Sequence, residues 1–294
     1  MTYFVNDVIT GALIGLLYAL VAMGFVVIYR ASKVFNFAQG ELVILGGFIV
    51  WYTTFTLGLD LWLAIPLSLM LSALAGYLIE RIFLTKLIGE SVFSMVMVTV
   101  GLLILLRGVI LLLFGPAVRP FPIIFPLRPL FIGELLIPMN LLMGGGITIV
   151  AAIGLSWFFN HTRRGLRMTA VAEDHVVAES MGISVQNSIA VAWMIGAVLS
   201  TVGAMIYLSG KSLTFLASDI GFAALPVALF AGLESIGGLI LAGIIVGVAQ
   251  SLATSYLDPL VGGSVGSVIP YIIMLAILLI RPTGLFGWRT IERV

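Results

Sequence analysis

The chain has 294 residues, of which 61% are hydrophobic and 9% charged, with a formal net charge of +1 at pH 7. Soluble domains carry about 25% charged residues because water-facing surface needs them, so this composition excludes an ordinary soluble fold; the balanced charge gives no polyelectrolyte character and no expectation of a nucleic-acid partner. A cysteine count of 0 excludes disulfides, thiolate metal sites and cysteine nucleophiles.

Apolar runs of about 20 residues, the length that crosses about 30 Å of hydrocarbon, recur from end to end. The alternation in ~10-residue segments that marks a membrane β-barrel is absent. The expected fold is all-α: a polytopic membrane helical bundle of about 8–10 transmembrane helices forming one domain over residues 1–294, with broken or re-entrant segments admitted. The opening "MTYFVND" has no basic residue before the first apolar run, so that run reads as a retained span rather than a cleavable signal.

Spans are expected near Val8–Tyr29, Asn36–Leu57, Trp62–Phe83, Phe93–Phe114, Pro138–Asn160, Ser188–Leu208, Phe215–Leu233, Ile236–Tyr256 and Ser267–Ile280. The seventh is interrupted by Asp219, Gly221 and Pro226, and reads either as a full span or as a broken or re-entrant helix. Between the fourth and fifth, "GPAVRPFPIIFPLRP" reads as a rigid external loop or shallow surface element. Alternating nine spans by the positive-inside rule places Arg30, Lys33, Arg81, Lys86, Arg163, Arg164, Arg167, Arg281, Arg289 and Arg293 on the cytoplasmic side. The N-terminus is then external and the C-terminus cytoplasmic.

Ionisable residues at membrane depth are costly and therefore mark candidate sites. Glu41 follows "FNFAQG" at the start of the second span, Arg107 sits in "GLLILLRGVILLLF", and Asp219 in "TFLASDIGFAALP". Asn36, Gln39 and Gly40 join Glu41 where a helix begins. Either Asn36 caps that helix and Glu41 complements its macrodipole, or Asn36, Gln39, Gly40, Glu41 and Asp219 form a polar patch lining or gating a pathway. Arg107 reads as structural, neutralised by a partner or reaching an interface. The pairs Gly11/Gly15 and Gly243/Gly247 suit close helix packing. No His-Glu-x-x-His or Gly-x-Ser-x-Gly occurs, and in "MIYLSGKS" Met205 stands where a P-loop needs glycine, so the chain offers no ATP-binding or catalytic motif of these kinds.

One stretch contradicts the oily background: "TRRGLRMTAVAEDHVVAESMGISV", Thr162 to Val185. At 100° per residue, Leu166, Ala170, Val177 and Met181 fall in a stripe about 60° wide flanked by Glu173 and Asp174, a short amphipathic helix whose apolar strip is too small for a core. It suits either docking into another protein's groove or a solvated loop held at lipid headgroups by its arginines.

This stretch resembles the cytoplasmic loop of ABC-importer permeases of the branched-chain amino acid (LivH) type. "GLLYALVAMGFVVIYRASKVFNFAQGELVILGGF" is similar to that family's N-terminal signature, and "LFAGLESIGGLILAGIIVGVAQSL" and "RPTGLFG" to its C-terminal ones. The four blocks run from Gly11 to Gly287 in the family's order. The resemblance implies a subunit of a bacterial inner-membrane importer, without enzymatic activity or cofactor of its own, that moves branched-chain amino acids or a related small polar solute inward by alternating access. It implies two cytoplasmic ABC ATPases holding ATP and magnesium, a second permease of the LivM type or a second copy, and an external solute-binding protein. Within a coupling loop at 161–187, the ATPase contact carries over onto Arg164, Leu166, Ala170, Glu173, Asp174, Val177, Met181 and Gly182. The rival reading is a stand-alone ion-coupled secondary transporter using Glu41 or Asp219; a lipid-acting enzyme lacks an acid, base and nucleophile set.

Overall fold

A computed structural model describes residues 2–87 and 90–287. Twelve α-helices are present among them: α1 (Thr2–Ser32), α2 (Gln39–Trp51), α3 (Leu61–Ile79), α4 (Val92–Phe114), α5 (Met139–His161), α6 (Arg163–Glu173), α7 (His175–Ser180), α8 (Val185–Leu208), α9 (Asp219–Ala231), α10 (Ile236–Tyr256), α11 (Asp258–Val261) and α12 (Val265–Ile280). Six helical stretches are long and apolar enough to cross a membrane, and the chain is a multi-pass membrane bundle. Its centre is α1, whose most apolar stretch is 89% buried, with α8 next at 72%; the stretch on α4 is 22% buried and faces outward. Buried glycines explain how α1 reaches the centre. Gly11 and Gly15 lie directly against Gly247 and Gly243 of α10, where a Cβ on Gly11 would stand 2.8 Å from the Gly247 carbonyl, so the two small-residue pairs form one helix crossing.

The expected spans are found as helices in the expected order, six of them long and apolar enough to cross a membrane; the second departs from its expected bounds, and the seventh takes the broken form admitted for it. The second begins at Gln39 rather than Asn36 and runs 13 residues before a π-helical turn at Tyr52–Thr56. The seventh is a 3₁₀ turn, Phe215–Ser218, followed by the 13 residues of α9. At 1.5 Å per residue each α-helix covers about 20 Å, less than the bilayer core. The Pro-rich connection carries no extra span; it holds β1 (Arg119–Pro120), β2 (Leu130–Ile132) and β3 (Leu135–Ile137), with β2 and β3 forming a hairpin. β1 pairs antiparallel with β4 (Ser212–Leu213) just after α8.

This defines two ends of the bundle. The hairpin end holds the start of α1, tied by Leu136 N donating to Asn6 Oδ1 at 3.0 Å, and the end of α8, where Ser209 Oγ accepts from Ile124 N at 3.0 Å. The opposite, charged end holds α6, α7, Arg30 and Lys33. The basic residues assigned to one side in the sequence gather at this end, except Arg289 and Arg293, which lie outside the described residues.

The neighbours repeat. α1 packs on α8, α9 and α10, while α8 packs on α1, α2 and α3; α2 touches α3 and α4, as α9 touches α10 and α12. Exchanging α1, α2, α3 and α4 for α8, α9, α10 and α12 maps these contacts onto one another, although the close packing of α10 on α12 has no equal between α3 and α4. Because α1 and α8 run in opposite directions, this is an inverted repeat of the kind that brings interrupted helices together at mid-depth.

Candidate functional site

The N-termini of the two short helices meet. A Cβ on Gly40 would stand 2.7 Å from the Ser218 carbonyl oxygen, and Gly40 and Gly221 bring their backbones into contact. The meeting point is deep: Gln39 lies against Gly24 of α1 and donates from Nε2 to Ser200 Oγ of α8 at 2.8 Å. Gly24 and Ser200 each lie eight residues before the end of their helices, Ser32 and Leu208, or about 12 Å from opposite faces of the bundle.

Around this point the polar side chains are paired. Gln39 Oε1 accepts from Asn36 Nδ2 at 3.2 Å, so both ends of the amide are used. Asn36 Oδ1 accepts from Ala38 N at 3.0 Å. It stabilises the turn before α2 and does not cap the helix, which corrects the capping expectation: α2 starts at Gln39, two residues too late for Asn36 to be its N-cap. Glu41, in the first turn of α2 and 1% exposed, sits 2.9 Å from Arg107 Nη2 of α4. The same nitrogen donates to Ser218 Oγ at 2.9 Å. Arg107 therefore ties α4 to the starts of both short helices, and is neutralised as its residue type requires at this depth. Asn36, Gln39, Gly40 and Glu41 are all buried.

Asp219 is different. It is exposed and has no ion pair or hydrogen bond from its side chain among the described residues. It opens onto a cavity of about 510 Å³, at the hairpin side of the meeting point, also lined by Tyr18, Tyr207, Tyr271 and Gln250. The five positions read together in the sequence thus divide into a closed polar knot and one free carboxylate. Tyr18, Tyr207, Gln250 and Tyr271 escaped sequence reasoning because uncharged polar residues in apolar runs are common and their convergence is tertiary. Glu80 escaped too: adjacent to Arg81 it reads as interfacial, yet it is fully buried, with Oε1 accepting from Thr85 Oγ1 at 2.9 Å.

At the charged end, the single helix expected over the charged stretch is two. Asp174 leaves the helical region (φ −155°, ψ 114°), and its Oδ1 accepts from Val176 N and Val177 N at 2.8 and 3.0 Å. A side chain that caps α7 cannot also continue α6. Gly182 ends the unit with φ 77°, as its residue type suggests. Met168, Val171, Ala172 and Ala178 are buried against the bundle, and Gly165 abuts the Phe158 carbonyl. Arg164, Leu166, Ala170, Glu173, Asp174, Val177, Met181 and Gly182 are all exposed, so the intended strip faces outward from two helices instead of one. Val176, 77% exposed, extends it.

The pair of helices is wired to the bundle. Lys33 Nζ lies 2.6 Å from Glu234 Oε1, before α10, and 3.5 Å from Glu173 Oε1 at the end of α6. Partial burial pulls the Lys33 pKa down, but the hydrogen bond and charge of Glu234, with Glu173, outweigh it and hold the ammonium above its ordinary range.

Residues 8–278 match the family described as branched-chain amino acid transport system / permease component. The chain is 28% identical to the high-affinity branched-chain amino acid transport system permease protein BraD of Pseudomonas aeruginosa, over 99% of this chain and 98% of that one. It is 25% identical to the corresponding protein LivH of Escherichia coli K12, over 99% and 98%. A protein of Methanocaldococcus jannaschii described as a probable branched-chain amino acid transport permease LivH shares 28% over 95% and 91%. A match covering nearly the whole bundle, from α1 into α12, leaves no part of the fold to another family: the chain belongs to the permease components of branched-chain amino acid transport systems.

Proposed function

We propose that this chain is the transmembrane subunit of an ATP-driven importer in a bacterial plasma membrane, moving branched-chain amino acids or close relatives inward. The charged end is cytoplasmic, the N-terminus external, and α6 and α7 seat in a groove on one of two ABC ATPases that hold ATP and magnesium. A second permease, of related type or another copy, and an external solute-binding protein complete the assembly. The observation that carries the reading is the exposed apolar set Leu166, Val176, Val177 and Met181 on helices whose opposite face is anchored in the bundle. Such a strip in water lacks a structural role of its own and suits insertion into a partner's groove.

Closure of the ATPases displaces α6 and α7, and the displacement passes through Glu173 to Lys33 and Glu234. Lys33 leads into residues 34–38 and so to the start of α2; Glu234 follows α9 directly. Both short helices are thus addressed from one ion-pair cluster, and their meeting point is where the two halves of the repeat rock between outward-open and inward-open states. Met181→Glu or Leu166→Asp, each placing a charge on the docking strip, is expected to cut uptake at least about tenfold, the loss of one interface anchor of ~2 kcal/mol, while membrane insertion stays intact. Uptake by reconstituted complexes and co-purification of ATPases measure this. Normal uptake in both variants overturns the docking assignment, and a chain that purifies alone yet moves solute on a proton gradient is a secondary transporter.

A further inference from the structure

The 510 Å³ cavity beside Asp219 lies within the range of about 300–1,000 Å³ typical of small-molecule pockets. Among its lining residues the only formal charge is the Asp219 carboxylate. That carboxylate is free, whereas the neighbouring Glu41 is held by Arg107. Lys211, the nearest basic residue in the sequence, rests on the ring of Tyr207 at 4.3 Å and is not part of the lining. Three tyrosines offer ring faces and hydroxyls that favour a cation, and the buried Gln250 Oε1 has no hydrogen-bond partner. The rest of the lining is mostly apolar, with Ile220, Phe222 and Val268 among it.

We propose that this cavity binds the ammonium group of the transported solute, with Asp219 as its counter-ion, the tyrosines around it and an aliphatic side chain against the apolar wall. This rests on the transport reading and adds to it a site and a chemical requirement: a primary amine. A bare anion or a neutral amide lacks the group that the single negative charge selects. The cavity opens on the hairpin side of the closed knot at Gln39 and Glu41, so a solute entering it meets Asp219 before the point where the short helices cross.

The absence of cysteine provides a clean test, because an introduced thiol is the only one in this chain, whose labelling is read on its own band. Ser267→Cys, at the cavity, and Thr56→Cys, remote from it, are labelled with a hydrophilic maleimide in membranes containing the chain and its natural partners. The probes are leucine, 3-methylbutylamine and 4-methylpentanoate, which share a carbon skeleton and differ in the amine and carboxylate. Leucine and the amine are expected to slow labelling at Ser267→Cys and not at Thr56→Cys, while 4-methylpentanoate has no effect. Adding Asp219→Asn is expected to raise the concentration needed for protection roughly tenfold or more, the factor that loss of one charge-assisted hydrogen bond carries. Equal protection by all three probes, protection that survives Asp219→Asn, or no protection by any probe overturns the proposal. The readout needs no ATP, so amine-specific protection without ATP-driven uptake sinks the importer reading alone, and uptake without amine protection sinks this proposal alone.

Discussion

Glu41 and Arg107 share one ion pair but not one environment. The Glu41 side chain is 1% exposed and the Arg107 side chain 42%, so removing either partner has unequal consequences. Without Arg107 the Glu41 carboxylate is stranded in the core, and Arg107→Met is expected to destabilise the bundle by roughly 3–5 kcal/mol, the range for a buried charge that loses its partner. Without Glu41 the guanidinium keeps its hydrogen bond to Ser218 Oγ and no buried carboxylate is left stranded, so Glu41→Gln should cost markedly less, and the double variant less than the sum of the two. Thermal unfolding of the purified variants in detergent gives the ordering; equal losses from both single changes would contradict it. The sequence exposed Arg107 and Glu41 as candidates because charge in oil is conspicuous, yet it could not pair them across 66 positions. Gln39 shows the same limit from the other side: its amide is fully satisfied by Asn36 and Ser200, partners from the adjoining turn and from a helix far along the chain.

Among the elements, α6 and α7 show where periodicity misleads. An apolar stripe at helical spacing runs through Thr162–Met181, and nothing in the pattern of apolar residues registers that Asp174 spends its carboxylate on the backbone of the next turn. Asp is favoured at an N-cap and weak in a helix interior, and that residue-level signal was the legible one. Asp174→Ala is expected to loosen α7 by about 1 kcal/mol, the usual worth of a cap, seen as faster amide exchange over residues 175–180 with little change over α6. The Lys33 contact makes a prediction of opposite character. A lysine whose folded pKa exceeds its unfolded value contributes stability that is fully present below the unfolded value, about 10.4, and is lost as pH rises through the folded one. Coupling through Lys33 should therefore be flat from pH 6 to 9, whereas Lys33→Met removes it at every pH in that range; the ratio of ATP hydrolysed to solute moved measures both.

For the whole molecule, the order of the apolar helices and the break in the seventh were readable because hydropathy and the interrupting Asp219, Gly221 and Pro226 are local, while the late start of α2 and the inverted repeat were not, because both depend on which helices touch. Gly11, Gly15, Gly243 and Gly247 mark the boundary between the two. Each pair was visible as a packing motif, but only the fold joins them in one crossing. Gly15→Leu or Gly243→Leu is expected to force α1 and α10 apart and abolish the folded bundle, measured as loss of a monodisperse peak on detergent extraction. That crossing also sets an order of events during synthesis. α1 emerges first, yet Gly243 is made more than two hundred residues later, which at about 5–20 residues per second is a delay of roughly ten to fifty seconds. During that interval α5, α8 and α9 are made and can pack on α1, but the glycine face of α1 destined for α10 has only lipid or the insertion machinery against it. Chains interrupted before Ile236 should consequently be cleared by membrane proteases, and a pulse-chase of truncated products would show the half-life rising sharply once α10 is complete.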